Sequence, residues 1–248
     1  MWFCQYKKGI FFKVNLNQET ITGDVKVRYL PEPEFFLEVL FPLFEILRRR
    51  GLYAVHCGAV GFKEKKPKTG DRRQSIKGII FPGKAGAGKS SLVLHLVAQG
   101  AKFLSDDRCL LSKDMLGFQV FGLREKVRIC PENFAGITKL AVFASGNPGF
   151  KKSFNITDVY PDSIIEKAKV KLIVFPSWQP QEKSRLTPIS ASEALKEILP
   201  LSLEAFFPDS AKANFEFLSD LVTSLPCYRF YLGKDRENWY NIIKRLVC

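Results

Sequence analysis

Gly83-Lys84-Ala85-Gly86-Ala87-Gly88-Lys89-Ser90 lies between an apolar run at residues 79–81 and a helical run at residues 91–98. It matches the phosphate-binding loop pattern G-x-x-x-x-G-K-[ST], and a strand before the loop and a helix after it are the context this pattern requires. Its glycines let the backbone close around phosphate oxygens without a Cβ in the way. Backbone N–H groups and the helix N-terminus then converge on the anion. The stretch therefore predicts a strand–loop–helix unit of an α/β fold that binds a nucleoside triphosphate or a close relative.

The last two residues of this loop carry its side-chain chemistry. Lys89 is placed to neutralise β- and γ-phosphate charge, and the hydroxyl of Ser90 is placed to ligate Mg²⁺. The residues predicted to bind the nucleotide are Gly83, Lys84, Ala85, Gly86, Ala87, Gly88, Lys89, Ser90 and Ser91.

A pair of acidic residues, Asp106 and Asp107, ends the strand predicted at residues 101–105, after Gly100 has closed the preceding helix. A right-handed crossover would return both carboxylates to the sheet edge that holds the phosphates. There, one carboxylate could hold Mg²⁺, directly or through water, while the other accepts a proton from an attacking hydroxyl. The alternative is a solvated acidic turn, or one metal-binding aspartate with an incidental neighbour.

The remaining chain shows helical and strand patterns in one compact unit. We expect a single domain over residues 1–248, with an antiparallel β segment at 1–30 and a nucleotide-binding core at 31–248. Further strands are expected at 52–60, at 169–175 with Pro176 as its end, and at 227–232. Helices are expected at 33–50 with a kink at Pro42, at 190–199 behind a capping box, at 209–224 with Asp209 as cap, and at 236–247.

The net charge of +13 is uneven along the 248 residues. Residues 63–77 carry seven basic and two acidic side chains, a net of +5, and have no apolar period. We interpret this segment as an exposed loop between two strands, and a solvated loop is favoured over nucleic-acid contact. No aromatic residues interleave its charges, as a platform for single-stranded nucleic acid would require.

Other features bound the class of protein. No apolar stretch is long enough to span a membrane, and the N-terminus lacks a signal-peptide pattern, so we expect a cytoplasmic protein without membrane contact. The six cysteines are scattered and lack the spacing of a zinc site, which predicts buried reduced thiols. Trp178 and Trp239 are assigned to the core rather than to base stacking.

Residues 44–112 resemble the catalytic core of HPr kinase/phosphorylase and its smaller relatives. The resemblance rests on a helix ending in glycine, a strand with His56-Cys57-Gly58, the loop G-x-x-G-x-G-K-S, and a strand ending in Asp106-Asp107. That core is also similar to the nucleotide-binding part of phosphoenolpyruvate carboxykinase. The resemblance implies an α/β fold with a mixed β-sheet flanked by helices, rather than a uniformly parallel sheet.

The resemblance also implies an activity and residue roles. It implies an ATP- and Mg²⁺-dependent kinase that transfers the γ-phosphoryl group to a hydroxyl of a protein, a peptide or a small molecule. Lys89 and Ser90 would serve phosphate and Mg²⁺, Asp106 would be the base, and Asp107 would assist the metal or the acceptor. His56 would lie near the reacting phosphate. A homo-oligomer is compatible with the resemblance.

Three departures separate this chain from the true HPr kinases. It lacks the downstream Arg-Gly-rich stretch that contacts their protein substrate, residues 63–77 are an insertion, and the first 30 residues are too short for a separate N-terminal domain. HPr is therefore a poor candidate acceptor, and kinases that modify the C-terminal serine of ribosomal peptides are more similar in architecture.

Three alternative interpretations stay open at this point. Without the resemblance, His56 would be interpreted as a structural strand histidine. The whole chain could also be a non-catalytic or hydrolysing nucleotide switch that binds nucleic acid or an acidic partner through residues 63–77, and the same loop could instead dock an acidic peptide substrate. The nucleotide switch and the peptide kinase differ in whether a phosphoryl group is transferred to an acceptor.

Overall fold

Three N-terminal strands form an antiparallel sheet, as predicted, within the described part of residues 1–30. Strand β1 (Trp2–Tyr6) pairs with β2 (Ile10–Asn15), and β2 pairs with β3 (Thr20–Val25). The computed structural model of the chain describes residues 2–6, 10–15, 18, 20–25, 43–64, 76–123, 127–130, 137, 139, 152–202 and 207–247.

A nine-stranded sheet dominates the described residues and brings distant parts of the chain together. Its path runs β4-β8-β9-β12-β6-β5-β7, with β14 beside β12 and β13 beside β14. The strands are β4 (Tyr53–Val55), β5 (Cys57–Lys63), β6 (Ile76–Pro82), β7 (Lys102–Ser105), β8 (Cys109–Asp114), β9 (Gly117–Gly122), β12 (Lys167–Trp178), β13 (Arg185–Pro188) and β14 (Cys227–Leu232). A separate antiparallel pair joins β10 (Val127–Ile129) to β11 (Lys152–Phe154).

The large sheet is mixed in direction, as the resemblance implies. Strand β12 is parallel to both β6 and β14 but antiparallel to β9. The pairs β5–β6, β5–β7, β4–β8 and β8–β9 are antiparallel. The sheet also curls. Strands β4 and β8 lie at one end of the pairing path and β5 and β7 at the other, yet β4 is followed directly by β5 in the chain, and β7 is followed directly by β8.

Helices cover both faces of this sheet. The helices are α1 (43–49), α2 (Lys89–Ala98), α3 (Ile156–Val159), α4 (Ala191–Ile198), α5 (Pro208–Ser224) and α6 (Arg236–Lys244). Ile79 and Phe81 of β6 pack in a cluster with α2 and α6, whereas Ile80 between them packs with α4 and α5. Since successive side chains of a strand point to opposite faces, β6 is buried on both sides.

Pro176 does not end β12, so that prediction is wrong. The strand continues to Trp178, and Pro176 pairs in register with Phe230 of β14. Proline lacks an N–H and is excluded from a strand only where that N–H would be bonded. The backbone N–H of Ile173 points toward β14. Because backbone N–H groups alternate in direction along a strand, position 176 faces the side of β6. The pairing of β12 with β6 already ends at Ile173.

The helices predicted at 190–199, 209–224 and 236–247 are confirmed, and the ends of the last two differ from the prediction. The capping box at Ser190 and Glu193 is present, with both side chains bonded to backbone N–H groups of the other residue. The cap of α5 is Phe207 rather than Asp209, because Pro208 takes the first helical position, where its fixed φ and missing N–H are tolerated. Helix α6 ends at Lys244. Only residues 43–50 of the helix predicted at 33–50 are described, and residues 43–49 of these are helical, so the kink predicted at Pro42 lies outside the described residues.

Several other predictions can be compared with the fold. The basic segment joins β5 to β6 as expected, although its residues 65–75 lie outside the described part of the chain. Cys57, Cys109 and Cys227 are buried free thiols, and Cys130 is half-buried. In the parts of the chain that the structure describes, no helix is both long enough and apolar enough to cross a bilayer.

Candidate functional site

Two antiparallel segments of the curled sheet are interrupted at the same level. Val55 pairs with Cys109 before the interruption and Ala59 pairs with Ser105 after it, in the same register. Residues 56–58 therefore lie opposite residues 106–108 but form no ladder pairs with them. The strand predicted as continuous over 52–60 is instead divided at His56. This interruption brings the predicted histidine and the predicted acid pair face to face.

The glycine-rich loop lies at the same edge of the sheet. Strand β5 is antiparallel to both β6 and β7, so β6 and β7 run in the same direction and end where β5 begins. Cys57 at the start of β5 is in register with Pro82 at the end of β6. The crossover through α2 thus returns the acid pair to the loop edge, as the spacing predicted, with β5 between the two parallel strands.

The backbone of the loop turns twice through the left-handed region. Gly86 has φ 84° and Gly88 has φ 96°, and Gly88 is the N-cap of α2. No side chain among the described residues caps this helix, and its first turn contains no acidic residue. The first backbone N–H groups of α2 are therefore left for another acceptor, in a position where the helix dipole favours an anion.

Lys89 is the first residue of α2, and its ammonium group folds back onto the loop. Its Nζ donates to the carbonyl oxygens of Gly83 at 2.7 Å and Lys84 at 3.0 Å. The residue is only 6% exposed, in contrast to the exposed Lys84. Ser90 and Ser91 follow in the first helical turn and are half-buried. The loop therefore combines helix N–H donors, one buried cation and an accessible hydroxyl.

Substituting alanine for Gly88 should cost much more stability than the same change at Gly86. Both positions have positive φ, which costs an L-residue about 1–2 kcal/mol. A Cβ at Gly88 would also lie 2.5 Å from Cδ1 of Leu232, whereas a Cβ at Gly86 meets nothing within 4 Å. Overpacking of that kind adds about 1–3 kcal/mol. Urea unfolding of Gly88→Ala and Gly86→Ala measures the difference, and Leu232→Ala should restore part of it in the first variant. Equal losses would contradict the contact.

The side chains of His56 and Asp107 form a hydrogen-bonded pair across the interruption. Nε2 of His56 lies 3.1 Å from Oδ1 of Asp107, and the side chain of Asp107 is 46% exposed. The hydrogen bond from His56 lowers the pKa of Asp107, with further lowering by the positive charges of Arg108 and Lys89, while partial burial opposes it. Asp107 is therefore an ionised carboxylate at neutral pH, close to the loop lysine.

Removing the imidazole should raise the pKa of Asp107. In His56→Ala the largest lowering cause is gone while partial burial, which favours the neutral acid, remains. Because the folded-state pKa is the depressed one, the pair stabilises the fold above about pH 4 and loses this effect as pH falls further. Carboxyl ¹³C NMR titration measures the shift. Asp220, whose pKa is lowered by its bond to Lys113, serves as an internal reference and should not move. An unmoved Asp107 would contradict the pairing.

Asp106 differs from its neighbour in being buried, with 4% exposure. It lies against Gly58, where a Cβ would stand 3.8 Å from Cα of Asp106 and 2.8 Å from Cγ2 of Val93. A glycine is needed at this position because α2 and the acid turn approach the strand so closely. The turn itself is closed by Ser105, whose hydroxyl donates to the carbonyl of Arg108 at 2.6 Å. The two carboxylates therefore have different environments, one dry and one half-exposed.

The donor set of the site fits a Mg²⁺ ion bound together with phosphate. Among the described residues, no group of three or more His, Cys, Asp or Glu side chains could hold a metal alone. Magnesium in nucleotide sites is usually held by one or two carboxylates plus substrate phosphates, without a protein cage. The Ser90 hydroxyl and the ionised Asp107 at the loop edge are oxygen donors of that kind.

Two residues near the loop were missed or misassigned at the sequence level. Leu232, at the end of β14, contacts the loop at Gly88, and only its position at the end of a predicted strand could have suggested this. Trp178, assigned to the core, is 44% exposed, because it is the last residue of β12 and extends past the packed layers. The core assignment of Trp239 is confirmed, since this side chain is fully buried.

Comparison with known proteins gives structural similarity at a distant level. The sequence matches no protein-family model and no curated protein. The fold is similar to a solved structure of the Hpr(Ser) kinase/phosphatase from Coxiella burnetii, with 14% sequence identity over 78% of this chain and 93% of that chain, and a TM-score of 0.39. A similarity at that level does not establish a shared activity, and the residues of the site have to support any function by themselves.

Proposed function

We propose that this protein is an ATP- and Mg²⁺-dependent kinase that transfers the γ-phosphoryl group to a hydroxyl acceptor. One observation carries the proposal. The uncapped N-terminus of α2 with Lys89, the His56–Asp107 pair and the buried Asp106 all lie at one edge of the sheet. A phosphate site, an ionised carboxylate and a dry carboxylate are the groups that phosphoryl transfer requires.

The loop and helix bind the triphosphate in this proposal. Backbone N–H groups at the start of α2 donate hydrogen bonds to the phosphate oxygens, and Lys89 exchanges its bonds to the loop carbonyls for bonds to the β- and γ-phosphates. Ser90 and Asp107 would hold Mg²⁺, which neutralises the charge that develops on the transferring group. His56 keeps Asp107 ionised and fixes its orientation through the 3.1 Å contact.

Asp106 acts as the general base. Its carboxylate takes the proton of the acceptor hydroxyl while the hydroxyl oxygen forms a bond to the γ-phosphorus and the bond to the β–γ bridging oxygen breaks. ADP leaves, and the phosphorylated acceptor follows. Burial suits this role, because it keeps competing water away from the proton transfer.

The acceptor is a serine-type hydroxyl of a protein or peptide, or the hydroxyl of a small molecule. The basic segment at 63–77 connects β5 to β6, and its net charge of +5 would attract an acidic peptide. Binding of such a peptide should weaken steeply as salt concentration rises.

The decisive experiment follows the γ-phosphoryl group. Purified protein with γ-³²P-labelled ATP, Mg²⁺ and a heat-treated extract of the source organism should produce a labelled acceptor. A nucleotide switch would instead release labelled phosphate without a labelled acceptor, and that result would reject the kinase.

A further inference from the structure

An exposed aromatic side chain lies one strand away from the residue that contacts the loop. Leu232 approaches Gly88 so closely that a Cβ there would stand 2.5 Å from its Cδ1. Trp178 is the register partner of Leu232 on the parallel strand β12. Neighbouring strands are about 4.8 Å apart, and register partners point to the same face. Trp178 therefore lies on the α2 side of the sheet, next to the N-terminus of that helix.

A buried scaffold holds the ring of Trp178 in place. The guanidinium carbon of Arg236 lies 5.7 Å from the ring centre of Trp178 and 5.8 Å from that of Trp239. Trp239 is fully buried, and its Nε1 donates to the hydroxyl of Ser184 at 2.9 Å. Ser184 in turn donates to Oδ1 of Asp235, at the start of α6. An arginine anchored on a core tryptophan thus supports Trp178.

This arrangement leaves part of a rigid aromatic surface open to solvent. Trp178 is 44% exposed although Arg236 lies over its ring, whereas most large apolar side chains of the sheet are fully buried. A fixed, half-open indole is a stacking surface for a flat π system, and every nucleobase offers one. A base tethered to phosphates at the loop lies within reach, because Trp178 and Leu232, which contacts the loop, are register partners on directly paired strands.

We propose that Trp178 is the stacking platform for the base of the nucleotide whose phosphates lie on residues 83–90. The inference rests on the proposed function, since it takes the loop as the phosphate site. Stacking is tolerant of base identity, so ATP and GTP should bind with affinities within a few-fold of each other. Recognition of the base then contributes affinity with little selectivity between purines.

The test separates base binding from phosphate binding. Calorimetry measures the dissociation constants of Mg·ATP and of magnesium tripolyphosphate, which lacks a base, for wild type, Trp178→Leu and Trp178→Phe. Loss of the indole in Trp178→Leu should weaken the affinity for Mg·ATP about 5- to 150-fold and leave the affinity for tripolyphosphate unchanged. Phenylalanine keeps a stacking ring and should recover most of the affinity. Phe215→Leu is the matched control, because Phe215 is an exposed aromatic residue of α5, on the opposite face of the sheet.

Each outcome decides between the two proposals. Equal weakening of both ligands, or no weakening of either, in Trp178→Leu would overturn the stacking role while leaving the phosphate site standing. Failure of wild type to bind either ligand would overturn the phosphate site itself, and with it the proposed function. Mg·ATP should quench the tryptophan fluorescence of the wild type, whereas tripolyphosphate should not. This quenching should be lost in Trp178→Leu.

Discussion

Lys89→Met should lose nearly all affinity for Mg·ATP while the protein stays folded. Lys89 is the buried cation of the loop, and its ammonium already lies against the carbonyls of Gly83 and Lys84. Removing one partner of a buried charge pair costs about 2–5 kcal/mol. This corresponds to a loss of affinity of about 30- to 5,000-fold, measured by calorimetry with Mg·ATP.

The matched control for this prediction lies in the same loop. Lys84 is exposed, and it contributes a carbonyl oxygen but no described side-chain contact to the loop. The predicted part of Lys84 in nucleotide binding is that of its backbone, so Lys84→Met keeps that part and removes only an exposed charge. The affinity should change only a few-fold, because exposed charges are screened by water and salt. Thermal unfolding of both variants checks that the fold persists. Similar affinities of Lys89→Met and wild type would contradict the phosphate site.

Asp106→Asn should abolish transfer while leaving nucleotide binding almost intact. The amide has the shape of the carboxylate but cannot take the proton of an acceptor hydroxyl. General base catalysis contributes about 10²- to 10⁴-fold, and the rate of transfer from γ-³²P-labelled ATP should fall by that factor. The affinity for Mg·ATP should stay within a few-fold, since the proposed phosphate ligands belong to the loop and α2.

An exposed aspartate provides the control for this second prediction. Asp162 lies on the surface, in the 3₁₀ turn Pro161–Ser163, and Asp162→Asn makes the same chemical change outside the site. It should transfer at the rate of wild type. Equal transfer by Asp106→Asn and wild type would remove Asp106 from the role of base, and a large loss of nucleotide affinity would assign it to binding instead.

The convergence of loop and acid pair was predictable because it depends on one short stretch of chain. The strand, loop, helix, Gly100 and acid pair follow each other within residues 76–107, and the chain direction brings both ends of the crossover to one edge. The mixed direction of the sheet was also predicted, but only through the resemblance to a family. Composition and spacing by themselves are compatible with a uniformly parallel sheet.

The contacts that depend on the register of distant strands could not be predicted. The division of a predicted strand at His56 exists only because the facing chain turns at residues 106–108. The position of Trp178 beside the loop depends on β12 continuing through Pro176 and pairing with β14. A proline is tolerated in a strand only where its position faces no partner strand. The local sequence of neither segment shows which edge of the strand lacks a partner.

A crystal structure with Mg²⁺ and a non-hydrolysable ATP analogue tests the central claim most directly. The quantity to measure is the distance from the terminal phosphorus to the nearest carboxylate oxygen of Asp106. We expect the terminal phosphate on residues 83–90, in contact with Lys89, with a gap to Asp106 that fits one hydroxyl oxygen. A triphosphate bound elsewhere, or a terminal phosphate directed away from Asp106, would contradict the account.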